Sequence, residues 1–273
     1  MRGSSRASLV AARERLDELV AGLDDERVTR VAGELFGAVH LFDAELRLRR
    51  AITDPGREPD QRAGLLRALV GGHVSEETAG VLDAVVRQSW SVSTDAVDAI
   101  DQLAAQALFT VAERNDELDD VEDAFFRFGR IVDREPGLRA ALSDRALPAD
   151  RKVGLLDALV GGRVRDATSA LIREVVLHPR GRTFDRGLEE YAQLAAARRD
   201  RLVARVRTVV PPTPEQIERL SAAIAAQLGH NVHINIEIDP SMIGGITIRV
   251  GDELFDGSIA HRIAEARRYV AGS

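Results

Sequence analysis

The 273-residue sequence contains no cysteine, and only 4% of its residues are aromatic. Without thiols the chain can form no disulfide, zinc–thiolate site, iron–sulfur cluster or cysteine nucleophile. It also lacks an uninterrupted apolar run approaching the roughly 20 residues with which a helix crosses a bilayer. Residues 1–8 lead into a charged amphipathic stretch and not into an apolar secretory core. The sequence therefore predicts a protein of the cytoplasm, or one bound peripherally to the cytoplasmic side of a membrane.

What the chain does contain is enough apolar material for a packed core. Hydrophobic residues make up 45% of the sequence and charged residues 30%, with a formal net charge of -7. This balance excludes a fully disordered chain. The acidic excess argues against nucleic acid as a partner, because a broad phosphate-binding surface needs positive charge. The length predicts one or two domains, or three small ones.

An internal repeat organises the first two thirds of the chain. Residues 48–86 align without gaps to residues 138–176, and 17 of the 39 aligned positions are identical. In each copy an apolar stripe with helical spacing runs into a glycine pair, Gly71-Gly72 or Gly161-Gly162. Such a pair predicts the left-handed end of a helix. Two copies are too few for a solenoid, so the repeat indicates a duplicated helical domain.

The pattern changes after about residue 201. Thr213 to Gln216 has the composition of a helix start, with a capping hydroxyl followed by proline and, three residues on, glutamine. Strict alternation from Val232 to Ile238 predicts a half-buried strand, and further strands are expected at 243–250 and 253–255. The predicted fold class is α+β, mostly α. A duplicated helical bundle (residues 1–96 and 97–201) precedes a small βαββα module (residues 202–273).

Residue spacings typical of catalysis are missing. The six histidines are scattered, and His230 and His233 would lie on opposite faces of the predicted strand. The first two glycine pairs follow helices, whereas a phosphate-binding loop precedes one. We therefore predict no catalytic residue, no metal site and no cofactor. An enzyme that used the βαββα module as its active site would lack an acid–base or nucleophile constellation.

One helical stripe has two possible interpretations. The predicted helix from residue 94 to residue 113 carries alanines between larger apolar residues. Small side chains can leave a groove in which another amphipathic helix lies. They can equally allow two helices of one bundle to pack closely. The pattern alone does not choose between these interpretations.

A long C-terminal motif resembles a known family. The segment 236–252 reads IEIDPSMIGGITIRVGD, and Phe255-Asp256-Gly257-Ser258 follows it. Together with the helical bundle before it, residues 97–273 resemble the delta subunit of rotary ATP synthases, also called the oligomycin-sensitivity-conferring protein family. Residues 1–96 precede the part that resembles a typical member. We expect this additional copy to enlarge or stiffen the contacts of the subunit.

The resemblance implies a non-catalytic subunit of the peripheral stalk, which holds the catalytic head of the proton-translocating ATP synthase against the torque of the rotor. It implies a localisation at the cell membrane, peripheral and on the cytoplasmic side, with membrane association only through the complex. Its partners would be the N-terminal helices of the alpha subunits and the C-terminal helices of the b subunits. The alternative is a helical adaptor that binds amphipathic helices of another membrane-associated complex.

The resemblance also assigns residues to these contacts. The residues expected to contact alpha are Val97, Ile100, Leu103, Ala104, Ala107, Leu108 and Val111, with Leu188, Tyr191 and Leu194 opposite them. The residues expected to contact b are Ile246, Ile248, Ile259 and Ile263.

Overall fold

The computed structural model describes residues 3–228, 233–239, 242, 244–250 and 253–256. Its contacts divide the chain into two compact units, Met1–Ala195 and Ala196–Ser273. The first is helical and the second is built around a sheet, which confirms the predicted α+β class with a majority of helix. None of the helices in the described ranges is both long and apolar enough to span a membrane.

Helices α1 to α10 and most of α11 form the first unit. Their bounds are α1 Gly3–Val20, α2 Asp25–Ala44, α3 Leu46–Ile52, α4 Pro59–Val70, α5 Glu76–Arg87, α6 Ser93–Arg114, α7 Leu118–Arg134, α8 Pro136–Ser143, α9 Ala149–Val160, α10 Asp166–Leu177 and α11 Phe184–Leu202. The order of helix lengths in α3 to α5 recurs in α8 to α10, as the sequence repeat requires.

The glycine pairs end α4 and α9 in the same way. Gly72 and Gly162 have φ angles of 78° and 66°, in the left-handed region that the sequence predicts there. A Cβ atom on the preceding residue, Gly71 or Gly161, would lie only 2.5 or 2.4 Å from a carbonyl oxygen of the last helical turn. Both positions of each pair therefore need glycine, which explains why the duplication has kept them.

The duplication has also exchanged a charged pair between two helices. In the first copy Arg67 of α4 lies 3.5 Å from Asp83 of α5. At the equivalent positions of the second copy, Asp157 of α9 pairs with Arg173 of α10. The two substitutions reverse both charges and preserve the attraction between the helices, so they compensate each other.

Helix α6 is shared between the two copies. It packs against α1, α2, α3 and α5 of the first copy, with α2 as its most extensive contact, and against α7 and α10 of the second. Most of its 22 residues are buried, on every face of the helix. The boundary predicted between residues 96 and 97 falls in the first turn of this helix, and both copies belong to one compact unit.

The second unit contains the rest of α11, helix α12 (Pro214–Leu228) and four strands, β1 (Val203–Thr208), β2 (His233–Ile238), β3 (Ile246–Val250) and β4 (Glu253–Asp256). The sheet order is β2-β1-β3-β4. Strand β1 runs parallel to β2 and antiparallel to β3, and β3 runs antiparallel to β4. The first four elements of the predicted βαββα module are thus present, and the last predicted helix lies outside the described residues.

Local sequence signals account for the start of α12 and for the core of this unit. Thr213 Oγ1 accepts a hydrogen bond from the Gln216 amide at 3.3 Å, and Gln216 Oε1 accepts one from the Thr213 amide at 2.8 Å. This reciprocal pair is the predicted capping box. Val206 of β1 and Ile224 of α12 form the buried core on which β3 packs.

Candidate partner-binding site and buried polar clusters

The α6 residues predicted to contact alpha lie in the interior of the first unit. Six of the seven, from Val97 to Leu108, are almost inaccessible to solvent, with at most 2% exposure, and Val111 is half-buried. Because α2 packs extensively on α6, these side chains are part of the core of the described structure. Of the two interpretations of the alanines, the structure supports close packing within the unit.

The three α11 residues predicted to lie opposite the α6 stripe differ in their burial and in their neighbours. Leu188 is buried, and its Cδ1 lies 3.9 Å from where a Cβ atom on Gly129 of α7 would stand. Tyr191 is also buried, and its hydroxyl donates a hydrogen bond of 2.9 Å to Asp101 of α6. Leu194 is half-buried. Of the three predicted α11 residues, Leu194 is therefore the one that a partner could contact directly.

The residues predicted to contact b fall partly within the described chain. Ile246 and Ile248 lie on β3, are half-buried and pack against Val206 and Ile224. Ile259 and Ile263 lie outside the described residues. The contact with b stays a prediction.

The first copy has a surface groove between α1 and α5. Its volume is about 510 Å³, and small residues, among them Ala11, Gly80 and Ala84, form its apolar part. A Cβ atom on Gly80 would lie 3.1 Å from Leu19 Cδ1, so the two helices approach closely here. The charged residues that also line it are Arg15, Arg67, Asp83 and Arg87. A groove lined by small residues together with charged ones can receive an amphipathic helix.

A network of buried ion pairs connects α6 with the segment between α10 and α11. Asp101 is only 2% exposed, yet Arg182 Nη1 donates to its Oδ2 at 3.2 Å and Arg180 Nη1 lies 3.3 Å from the same oxygen. Arg180 also donates to Asp98 at 2.6 Å, and Arg182 to Glu190 at 2.9 Å. These side chains border a cavity of about 470 Å³.

The protonation states within this network follow from its charges. Burial lowers the pKa of the Arg182 guanidinium, but Asp101 and Glu190 outweigh burial and raise this pKa above its ordinary value. Burial raises the pKa of the Tyr191 phenol, and the negative charge of Asp101 raises it further. Burial also tends to raise the pKa of Glu190, but hydrogen bonds from Arg186 and Arg182 bring it below the ordinary value. Arg182 is therefore charged and Tyr191 is a hydrogen-bond donor at neutral pH, so the network has a structural role.

A second polar cluster joins α2 to the end of α10. His40 Nε2 donates a hydrogen bond of 2.8 Å to Glu174 Oε1, and the His40 ring stacks on the His178 ring with centroids 3.5 Å apart. Burial lowers the pKa of His178, although the charge of Glu174 acts in the opposite direction. One residue of this cluster lies in the first copy and two lie in the second.

Neither polar cluster was predicted from the sequence. Asp101 and Arg182 are 81 residues apart, and His40 and Glu174 are 134 residues apart. The sequence repeat offers no signal for the second cluster either, because the residues aligned with Glu174 and His178 in the first copy are Ala84 and Gln88. The prediction of no metal site considered His230 and His233 and did not consider His40 with His178.

The fold and its candidate surfaces together define an α+β protein in which a duplicated helical unit precedes a small sheet unit. Residues 100–270 match the family model described as the ATP synthase delta (OSCP) subunit. The chain is 44% identical over 272 residues to ATP synthase subunit delta of Streptomyces griseus, with 100% of both chains covered. It is 45% identical over 274 residues to ATP synthase subunit delta of Thermobifida fusca, again with 100% of both covered. It is also 45% identical to that of Streptomyces avermitilis, with 98% of each covered.

The chain therefore belongs to the ATP synthase delta (OSCP) subunit family, as the resemblance in its C-terminal motif predicts. The family is that of a structural subunit of an enzyme complex, and the subunit is not itself catalytic. Among solved structures, a chain of the Toxoplasma gondii mitochondrial ATP synthase hexamer is 20% identical, covering 61% of this chain and 94% of its own, at a TM-score of 0.33.

Because the relatives align with this chain from end to end, they also contain residues that correspond to the additional N-terminal copy. It is not an insertion peculiar to this sequence.

Proposed function

We propose that this chain is the delta subunit of a proton-translocating rotary ATP synthase and forms part of its peripheral stalk. It would link the catalytic head to the membrane-embedded proton channel and resist the torque of the rotor. The observation that supports this most strongly is the end-to-end identity of 44–45% with chains named ATP synthase subunit delta. The proposed localisation is peripheral, at the cytoplasmic side of the cell membrane, through contacts with the other subunits.

The proposed partners are the N-terminal helices of the alpha subunits for the first unit and the C-terminal helices of the b subunits for the second. The buried α6 residues would contribute to the alpha contact indirectly, because their packing fixes the positions of the helices whose surfaces alpha would contact. Val111 and Leu194, which are half-buried, are the members of the predicted set on α6 and α11 that a partner could reach directly. Ile246 and Ile248 would have the same supporting role beneath the b contact.

The architecture of the first unit suits a part that carries force. A helix shared by two copies makes their relative movement costly, since α6 would have to leave one of its two packed environments. The buried pairs from Asp101 to Arg180 and Arg182 also connect α6 with the segment between α10 and α11. A stator of this kind needs persistent interfaces in place of fast-exchanging ones.

A deletion strain tests the proposed function. Inverted membrane vesicles that lack this chain should retain ATP hydrolysis by the catalytic head, while ATP-driven proton pumping is lost. Supplying the full-length chain should restore pumping, and ATP synthase subunits should co-purify with it in near-stoichiometric amounts. Coupled pumping by vesicles that lack the chain would overturn the proposal.

The groove between α1 and α5 allows a sharper test within the full-length chain. Ala84 lines this groove and is half-buried, so Ala84→Arg should obstruct it. Ala68 is exposed on α4, and Ala68→Arg is the matched control. If the first copy receives a helix of the complex, only Ala84→Arg should reduce the amount of chain that binds to vesicles stripped of it. Equal binding by the two variants would show that this groove is not used.

A further inference from the structure

We propose that His40, Glu174 and His178 form a binding site for a divalent transition-metal ion of the zinc class, and that the ion links the two helical copies. Each of the three residues offers one ligand atom, and these atoms all lie within 4.8 Å of one another. The cluster is the single group of this kind among the described residues. The site goes beyond the proposed function, since no stalk contact depends on it.

The donor set has the chemistry of a zinc site. Two imidazole nitrogens and one carboxylate oxygen are a known combination for Zn²⁺, with water completing the tetrahedral coordination. Imidazole selects zinc, copper or nickel over magnesium and calcium, which prefer sets of oxygen ligands. The absence of cysteine from the chain leaves histidine and carboxylate as its means of binding such an ion.

The carboxylate of Glu174 is the strongest part of the argument. Its side chain is 7% exposed, and within the described part of the chain His40 is the one side chain with which it forms a hydrogen bond or ion pair. A buried carboxylate is costly unless charge or hydrogen bonds compensate it. The adjacent arginine, Arg173, pairs with Asp157, and Arg180 directs its guanidinium to Asp98 and Asp101. A cation between Glu174 and the two rings would supply the missing charge.

The geometry allows the ion to enter with a small movement. Ligand atoms of a tetrahedral zinc ion are separated by about 3.2–3.6 Å, since each bond is about 2.0–2.2 Å long. The longer of the present separations, which all lie within 4.8 Å, need to shorten, whereas the His40–Glu174 separation of 2.8 Å has to lengthen slightly. The stacked rings also have to diverge so that both nitrogens face one point. His40 is 33% exposed and can turn about its side-chain bonds, whereas Glu174 is held in the packed helix α10. The ion would replace the stacking and the hydrogen bond with three bonds.

Such an ion would hold the copies together at one point. His40 lies on α2, which packs on the shared helix α6, and Glu174 and His178 lie at the end of α10. Binding requires all three ligands, so a folded chain with both copies in place is the form that the ion recognises. The ion should therefore raise the midpoint of thermal unfolding of the first unit.

The test is a calorimetric titration of the purified full-length chain, freed of metal by chelation, with Zn²⁺ alone. One ion per chain is expected, and Co²⁺ in its place should give the visible absorption of a tetrahedral site. His40→Gln and His178→Gln should each weaken Zn²⁺ binding by about tenfold or more. His73→Gln, which changes an exposed histidine, and His233→Gln are the matched controls and should bind as the unaltered chain does.

Because Glu174 is buried, Glu174→Gln could unfold the chain. The test is therefore decided by the two variants His40→Gln and His178→Gln. Each must first show the far-ultraviolet circular dichroism of the unaltered protein. Undetectable Zn²⁺ binding, or binding that His40→Gln and His178→Gln leave unchanged, would overturn the proposal. Loss of binding in His233→Gln would overturn it as well, since it would place the ion in the second unit.

Discussion

The buried carboxylate of Asp101 provides the sharpest test of how the first unit is stabilised. Asp101 and Asp98 lie three residues apart on α6 and both pair with Arg180, but Asp101 is 2% exposed whereas the Asp98 side chain is 48% exposed. Asp101 also accepts hydrogen bonds from Arg182 and Tyr191. The substitutions Asp101→Asn and Asp98→Asn make the same chemical change in two environments.

The expected magnitudes differ because burial decides what an unpaired charge costs. Asp101→Asn keeps the shape of the side chain but leaves two buried guanidinium groups short of a counter-charge, which lowers the free energy of unfolding by about 3–5 kcal/mol. Asp98→Asn removes a half-exposed partner and should cost about 1 kcal/mol or less. Tyr191→Phe removes one neutral donor to Asp101 and should cost about 1–2 kcal/mol.

Urea unfolding followed by tryptophan fluorescence measures these differences in the first unit alone. Trp90 is the only tryptophan of the chain and lies between α5 and α6. Its indole donates to the Val85 carbonyl at 2.9 Å, so its emission depends on local packing. The denaturant slope should stay constant while the midpoint falls. If Asp101→Asn and Asp98→Asn shift the midpoint equally, the reasoning from burial is refuted.

Three further results are expected. In isolated protein, Leu103→Cys should react with a maleimide at least about 100-fold more slowly than Val10→Cys, because a fully buried thiol is reached only through opening of the structure. Burial tends to raise the pKa of Glu34, but the hydrogen bonds that it accepts from Ser75 outweigh burial and lower this pKa below 4.5. The charged Glu34 therefore stabilises the fold above pH 4.5, and this contribution is lost as the pH falls through the lowered pKa. The difference in unfolding free energy between the unaltered chain and Glu34→Gln should shrink over that interval. A chain without residues 1–92 should bind a hydrophobic dye and melt at a lower temperature, because α6 loses its packing against α2.

Each of these results has an outcome that contradicts its reasoning. Comparable labelling rates for the two cysteine variants would mean that the α6 stripe opens readily. A stability gap for Glu34→Gln that is independent of pH between 6 and 3 would mean that the Ser75 hydrogen bonds do not depend on the carboxylate charge. A truncated chain that stays monomeric and as stable as the full chain would show that α6 does not need the first copy.

Much of the local structure could be predicted from the sequence. The glycine pairs after α4 and α9, the capping box at Thr213 and the alternating strand β2 all depend on neighbouring residues, so their signals are short-range. The C-terminal motif identified the family for the same reason, because its strands and turn occupy one continuous segment. The repeat in residues 48–86 and 138–176 showed the duplication without any structure.

Other properties were decided only when the chain folded. Periodicity shows that Val97, Ile100 and Leu103 share a face of α6, but it cannot show that α2, more than 50 residues earlier, covers that helix. The clusters around Asp101 and Glu174 bring together side chains 81 and 134 residues apart. The sequence by itself determined the elements, the duplication and the family. The tertiary structure alone decided which apolar stripe became core and which polar groups met, because burial and long-range pairing depend on the arrangement of whole helices and not on any local pattern.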